Sequence, residues 1–436
     1  MPINKDMRPE TILILLIAQY CIAKASYDHN YSSNDHLIAT NESAIIATSN
    51  VLSSELKDSN NPLKLILLPD SYTTQRCLDG SPFGYYLRKQ HNGKNGHNVV
   101  FFLEGGGLCK TPKDCKNRKN GEHGSSKYWP DTFVPGKGGV KDIISDDPEI
   151  NPYFYDFNHV YLKYCSGDTW TGSRTSFDEN DLWFSGHNNL EAAIDHMNKT
   201  QHLGWASHVF LLGSSAGGIG VLNNVDFFRE KWLNQSTIFK AAPVGGFYFP
   251  SDVFLYPEWQ HDIHVPVNSA LAKYLTTWYG SVLDESCVSE TDIDQQHMCW
   301  DAHYLYNYID TSLFVSENRI DSNQLNQLLC PNPWENESTT DFMKWFGMTM
   351  VDGLISTVQS ERGLEKGDGL FVPSCLEHTG NLCLTNGPVV NGKKLADLLP
   401  FWYFEEDPIV ASAFQEIDSC NEEEETELPC NNHCKC

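Results

Sequence analysis

The chain reads as an α/β fold, a mostly parallel sheet with helices on both faces and a helical cap insertion. Three observations carry this. Strand-like apolar runs alternate with helical patterns, the order that builds a parallel sheet covered on both faces. One run, His208-Val209-Phe210-Leu211-Leu212, passes through Gly213-Ser214-Ser215-Ala216-Gly217-Gly218 into the amphipathic stretch Ile219–Trp232. Another, Val99–Leu103, is continuously apolar, as a buried central strand should be, and ends in Glu104-Gly105-Gly106-Gly107.

The elements follow in order. Leu63–Leu68 and Gly84–Arg88 read as two strands forming a hairpin at the sheet edge, with a turn at Asp79-Gly80-Ser81-Pro82 between them. After Val99–Leu103, Asn158–Tyr164 is a strand leading into the small, polar loop Cys165–Gly172. Asn188–Lys199 has helical spacing of Leu190, Ala193, Ile194 and Met197. Phe239–Pro243 is the strand after the Gly-x-Ser-x-Gly helix, and Gly245–Pro250 its loop. Short aromatic-rich helices over 251–310 read as the cap. Thr311–Ser316 is a late strand, Phe342–Val358 a helix and Leu370–Pro373 a final short strand.

At 436 residues and 40% hydrophobic content, one large catalytic domain over 61–420 fits better than several small ones. Residues 1–25 read as a secretory signal peptide. Lys5 and Arg8 precede the apolar run Ile12–Ile22, and Ala23-Lys24-Ala25 is a small-x-small cleavage site. The apolar run is too short for a membrane span. Residues 26–60 are a polar lead-in, and 421–436 an acidic, cysteine-rich tail.

The cysteines fit an extracellular address. Of 14, Cys21 lies in the signal, leaving an odd number and hence one free or intermolecular thiol. Spacing favours local loops at Cys109/Cys115 and Cys287/Cys299. Cys375 and Cys383 bracket another short segment. A zinc site at Cys430, His433, Cys434 and Cys436 is the weaker alternative in an oxidising compartment. Asn30, Asn41, Asn198, Asn234 and Asn336 sit in Asn-x-Ser/Thr triplets compatible with glycosylation. Formal charge is −26, and losing the signal removes three positive and two negative side chains, leaving about −27. So acidic a chain argues against nucleic acid or an anionic membrane surface as partner.

The chemistry centres on Gly213-x-Ser215-x-Gly217. Between a strand and a helix, this pattern sets a serine on a sharp turn with its Oγ presented to substrate. A phosphate-binding turn would need Lys-Ser/Thr after the glycines, where Ile219-Gly220 stand. A serine nucleophile needs a base, and the base an orienting carboxylate. In a sheet enzyme of this kind the chain order is Ser, acid, His. Asp321 follows a strand after the nucleophile helix. Asp310 precedes that strand, and Asp294 and Asp301 lie in the cap. Only His378 and His433 come later than the acid. His378 follows the last core strand, and His433 lies in the tail. The tetrahedral oxyanion needs backbone N–H donors, expected from Ala216 and from the loop Gly105-Gly106-Gly107. The chemistry calls for no cofactor and no metal.

These residues resemble the pectin acetylesterase family, and within it the Notum-like carboxylesterases. The likeness runs from about Leu65 to Cys420. It is carried by Leu78–Tyr86, Phe102–Gly107, Tyr164–Gly172 and Gly213–Asp226. The resemblance implies an α/β-hydrolase-like fold, the triad Ser215, Asp321 and His378, and backbone donors at Gly106, Gly107 and Ala216. For substrate it implies the palmitoleoyl ester of a Wnt-type secreted signalling protein, with acetyl esters of a polysaccharide as the alternative. Gly213–Asp226 and Asp168-Thr169-Trp170-Thr171-Gly172 lie closer to the Notum-like branch. Gly106-Gly107-Leu108, where that branch carries Gly-Gly-Trp-Tyr, and Gly369-Leu370-Phe371 lie closer to the polysaccharide branch. The aromatics Phe247, Tyr248, Phe249, Trp278 and Tyr279 are candidates for an acyl pocket or for plain core. A non-catalytic secreted binding protein is disfavoured by the full set of catalytic candidates.

Overall fold

The computed structural model describes residues 61–90, 97–135, 140–249, 270–328, 337–380, 383, 387–420, 429–431 and 433–434. The signal peptide, the lead-in, the acidic run Glu422–Glu425 and the triplets at Asn30, Asn41 and Asn336 lie outside them. Fourteen strands form among the described residues. β1 (Leu63–Leu67), β2 (Gly84–Arg88), β3 (Val99–Leu103), β4 (Thr132–Phe133) and β5 (Asn158–Leu162) come first. β6 (His208–Ser214), β7 (Ile238–Val244), β8 (Phe314–Ser316) and β9 (Ile320–Asp321) follow. Then come β10 (Gly369–Val372), β11 (Leu376–Glu377), β12 (Val389–Val390), β13 (Lys393–Lys394) and β14 (Gln415–Ile417).

Ten of them make one sheet in the order β14-β10-β8-β7-β6-β3-β5-β2-β1-β4. From β14 to β5 every pairing is parallel; the β5–β2, β2–β1 and β1–β4 pairings are antiparallel. The centre is β3, β5 and β6, whose residues are buried along their whole length apart from the half-buried His208. Strands packed on both faces have no polar side to show, which is why Val99–Leu103 and Val209–Leu212 read as continuously apolar. β1 and β2 pair as expected, but β4 covers β1 and takes the edge. β14 was not anticipated. Its Gln415-Glu416-Ile417 carries little apolar signal, and it is held by parallel pairing to β10.

Helix α1 (Pro112–Arg118) lies beside the loop after β3, α2 (Gly186–Gln201) packs on β2, and α3 (Ala216–Trp232) packs on β3, β6 and β7. Between β7 and β8 the described residues form short helices at Ala270–Tyr279, Glu285–Glu290 and Ala302–Leu305, with Cys287–Cys299 closing one turn of them. Residues 250–269 of the expected cap lie outside the description.

The disulfides correct part of the expectation. Cys109–Cys115 and Cys287–Cys299 pair locally. Cys375 pairs with Cys434, not within the Cys375–Cys383 segment, and Cys383 is disulfide-bonded as well. Cys77–Cys165 spans 88 residues, and Cys420–Cys430 closes the tail. With Cys430 and Cys434 oxidised, the tail thiolates that zinc would need are not available. Among the described residues no cysteine is free. The expected odd thiol therefore falls outside them.

One core contact makes stability pH-dependent. His159 on β5 is fully buried; its Nε2–H donates to the Phe154 carbonyl (2.8 Å), and its Nδ1 accepts from Arg88 Nη2 (2.7 Å). Burial, and then the Arg88 charge, push its pKa down from 6.5 to about 3. As pH falls the unfolded chain takes this proton first. The contribution is therefore complete above pH 6.5 and is lost between 6.5 and about 3. His159→Gln should lose ~2 kcal/mol less stability than wild type between pH 7 and 4.5. Denaturation midpoints at the two pH values check this; equal losses would contradict it.

Candidate active site

The parallel strands bring their C-terminal ends to one edge of the sheet, where ligands of open α/β sheets bind. The loops after β3, β6, β7, β8 and β10 converge there. Ser215 lies between β6 and α3 with φ 56° and ψ −123°, a backbone region costly for a residue with a Cβ. The turn is held by what surrounds it. Ser215 N–H donates to the Val244 carbonyl (2.8 Å). A Cβ on Gly217 would overlap the Leu103 carbonyl oxygen, and one on Gly213 would overlap the Gly217 carbonyl oxygen. The two motif glycines thus let β3, the turn and α3 meet at backbone distance. Ala216 is the first residue of α3, where N–H groups have no intrahelical acceptor.

His378 arrives from the other half of the sheet. Its loop follows β10 and is tied by Cys375–Cys434. The two-residue strands β9 and β11 pair in parallel, with Ile320 opposite Leu376 and Asp321 opposite Glu377. This bridge sets the acid's loop beside the histidine's. Asp321 is fully buried; its Oδ1 accepts the Gln324 N–H (2.7 Å), and its Oδ2 accepts His378 Nδ1–H (2.7 Å). That leaves the His378 Nε2 lone pair to accept the Ser215 hydroxyl at 2.8 Å. The three residues chosen from chain order lie in one hydrogen-bonded line.

A second carboxyl stands behind the first. Glu317 is fully buried, and its Oε2 accepts the Phe247 N–H (3.0 Å). Desolvation, then the Asp321 charge and a hydrogen bond to Asp321, raise its pKa well above the usual carboxylate range. Burial beside the Asp321 carboxyl thus favours the protonated form of Glu317. The Phe247–Phe249 segment is also gripped by Gln324, which accepts from Phe249 N–H (3.1 Å) and donates to the Phe247 carbonyl (3.3 Å). Tyr248, between them, reaches the histidine: its Oη lies 3.3 Å from His378 Nε2 and donates to Asn323 Oδ1 (2.9 Å).

The glycine loop lies against the elbow. A Cβ on Gly105 would overlap the Ser214 carbonyl oxygen and come within 2.9 Å of Ser215 Cβ. Gly106 and Gly107 follow with φ of 144° and 72°. Arg118 Nη1, from α1, donates to the Gly106 carbonyl (2.6 Å) and so fixes the Gly106–Gly107 peptide plane. Cys109–Cys115 ties the loop's end to the same helix. Glu104, just before the glycines, accepts from Lys163 Nζ (2.8 Å) and from the Tyr164 N–H (2.9 Å), and Lys163 also reaches Glu122 (2.9 Å). Burial alone would lower the Lys163 pKa, but the two carboxylates hold it above its usual value.

Other candidates prove structural. The loop Cys165–Gly172 is a clasp. Asp168 accepts from Ser166 Oγ (2.6 Å) and the Gly186 N–H (2.8 Å), and burial raises its pKa. Trp170 packs against Gly220 and donates its indole N–H to the Glu104 carbonyl (3.0 Å). Phe247, Phe249 and Tyr279 are buried core, and Leu108 packs with Trp278 against the small cluster containing Phe184 and Tyr279. Sequence reasoning missed Glu317, Arg118 and the Tyr248 hydroxyl. Glu317 and Tyr248 each carried one signal, a polar group inside or beside an apolar run at a strand end.

A family model described as pectinacetylesterase matches residues 56–435. The chain belongs to the pectinacetylesterase family. Among its relatives, the palmitoleoyl-protein carboxylesterase NOTUM of Schmidtea mediterranea is 27% identical over 76% of this chain and 60% of its own length. NOTUM of Homo sapiens is 28% identical over 73% of this chain and 61% of its own. Pectin acetylesterase 11 of Arabidopsis thaliana is 27% identical over 82% and 88%. The chain thus spans about three fifths of the length of these NOTUM relatives. A crystal structure of the Wnt deacylase Notum from Drosophila superposes with TM-score 0.69 at 24% identity, covering 86% of this chain and all of that one. That likeness establishes the α/β-hydrolase-like fold. The relatives are carboxylesterases and acetylesterases, which makes this a family of ester hydrolases.

Proposed function

We propose that the chain is a secreted serine carboxylesterase. In this reading Ser215 attacks the ester carbonyl, His378 takes its proton and returns one to the leaving alkoxide, and Asp321 holds the imidazole. Backbone N–H groups of Gly106, Gly107 and Ala216 receive the oxyanion. The supporting observation is the line Ser215 Oγ–His378 Nε2–His378 Nδ1–Asp321 Oδ2, at 2.8 and 2.7 Å. The extracellular address rests on the signal-like N-terminus and the disulfides. No helix among the described residues is long and apolar enough to cross a membrane.

The substrate we propose is an O-acyl ester on a secreted partner, the palmitoleoyl ester of a Wnt-type protein; the NOTUM relatives are named palmitoleoyl-protein carboxylesterases, and the Drosophila protein a Wnt deacylase. A second reading, acetyl esters of a pectin-like polysaccharide, is favoured by Leu108 beside the glycine loop and by the fuller coverage of pectin acetylesterase 11. Chain length separates the two. Hydrolysis of p-nitrophenyl octanoate with kcat/KM at or above that of the acetate supports the lipid substrate. Cleavage of acetate but not octanoate replaces it with the polysaccharide reading.

A further inference from the structure

The Tyr248 hydroxyl lies beside His378 Nε2, the atom that a hydrolytic water must reach. Its own proton is committed to Asn323 Oδ1 at 2.9 Å. The histidine's Nδ1 proton is committed to Asp321, leaving Nε2 a lone pair. Tyr248 Oη and His378 Nε2 therefore face each other at 3.3 Å as two acceptors, with no proton between them. Two acceptors side by side call for a donor with two hydrogens. In the free enzyme the Ser215 hydroxyl serves Nε2. Once Ser215 is acylated it has no proton to give, and the pair is left open for water.

We propose that Tyr248 is a catalytic residue of deacylation, which orients the water that hydrolyses the acyl-enzyme. The proposal rests on Ser215 being the nucleophile. One water O–H points to His378 Nε2 and the other to Tyr248 Oη, which turns an oxygen lone pair toward the acyl carbon. The water oxygen bonds to that carbon as its first proton moves to Nε2. The tetrahedral intermediate then collapses. The bond from carbon to Ser215 Oγ breaks, the Nε2 proton passes to Oγ, and the carboxylic acid leaves. Tyr248 gains and loses no proton. Burial first, and then the neighbouring Asp321 carboxylate, push the phenol's pKa up and favour its neutral form.

The tyrosine is built for this. The backbone on either side is held by Glu317 and Gln324, and the hydroxyl by Asn323, so both ends of the side chain are fixed. It meets the imidazole edge-on, with ring centroids 6.1 Å apart at 77°. Asn323, which fixes the hydroxyl, stands two residues after Asp321, so one short segment orients both the base and the water.

The test is pre-steady-state hydrolysis of a p-nitrophenyl ester by wild type, Tyr248→Phe and Ser215→Ala. Tyr248→Phe removes only the oxygen. Its burst rate, which reports acylation, should stay within twofold of wild type. Its steady-state rate should fall about tenfold, the size of one lost hydrogen bond. KM should fall with kcat, leaving kcat/KM unchanged, and intact mass spectra should show acyl-enzyme accumulating. A purely structural role would lower the burst rate as well. The proposal is overturned if burst and steady state fall together, or if the steady-state rate does not change. A burst from Ser215→Ala would instead remove the nucleophile on which the proposal stands.

Discussion

Ser215→Ala should lower kcat for any ester the enzyme cleaves by about 10⁴-fold or more. The residue sits at the one position where β6, the φ 56° turn and α3 bring a hydroxyl to 2.8 Å from His378 Nε2. The substitution keeps a Cβ in the strained turn, so the fold should survive and the loss should be chemical. Removing His378 or the Asp321 charge should act on the same step. Asp321→Asn should also cost about 10⁴-fold, since an amide next to Nδ1 favours the wrong imidazole tautomer. The losses should not add. Ser215→Ala combined with His378→Ala should be no slower than the worse single variant, because a base without its nucleophile has nothing to activate. Steady-state kinetics of the four proteins check this, and multiplicative losses would mean that the residues act in separate places.

Gly217→Ala should be among the most destabilising single changes in the sheet. Helix propensity alone predicts a gain of about 1 kcal/mol for Gly→Ala within α3. The packing predicts the opposite. A Cβ at 217 would overlap the Leu103 carbonyl oxygen and lie 2.8 Å from its carbon and 2.9 Å from the Glu104 carbonyl oxygen. These are backbone atoms at the end of β3, a strand paired on both sides and unable to step back. Either the elbow opens or β3 shifts, and we expect a loss of about 3 kcal/mol or more, with activity going first. Gly121→Ala is the control, because its nearest neighbour would be the Arg118 carbonyl at 3.8 Å. Thermal midpoints separate the two mechanisms by sign. A Gly217→Ala protein as stable as wild type would show that the elbow is looser than its contacts imply.

Much of the fold was legible because its central strands have no polar face. Val99–Leu103 and Val209–Leu212 announce themselves as unbroken apolar runs, and glycines mark where they end. The candidates Ser215, Asp321 and His378 were reachable because the proposed chemistry imposes an order along the chain, acid and then histidine after the serine. Other features had no comparable signal. β9 and β11 are two residues each, and their pairing exists only because two loops meet. Cys375 looked local because Cys383 is eight residues away, yet the fold brings Cys434 to it from 59 residues downstream. Glu317 lies just past the end of β8, where a carboxylate ordinarily meets solvent. Its raised pKa follows from total burial beside Asp321, a property of the packed structure. Tyr248 stood out as an aromatic, but its significance lies in where a single oxygen points.

The measurement that bears most directly on the central claim is active-site titration with a fluorophosphonate, read by intact mass and peptide mapping. One equivalent should attach to the peptide carrying Ser215, activity should fall in proportion, and His378→Ala should not be labelled at a comparable rate. Loss of activity with the adduct on any other residue, or full activity with Ser215 quantitatively modified, would contradict the account.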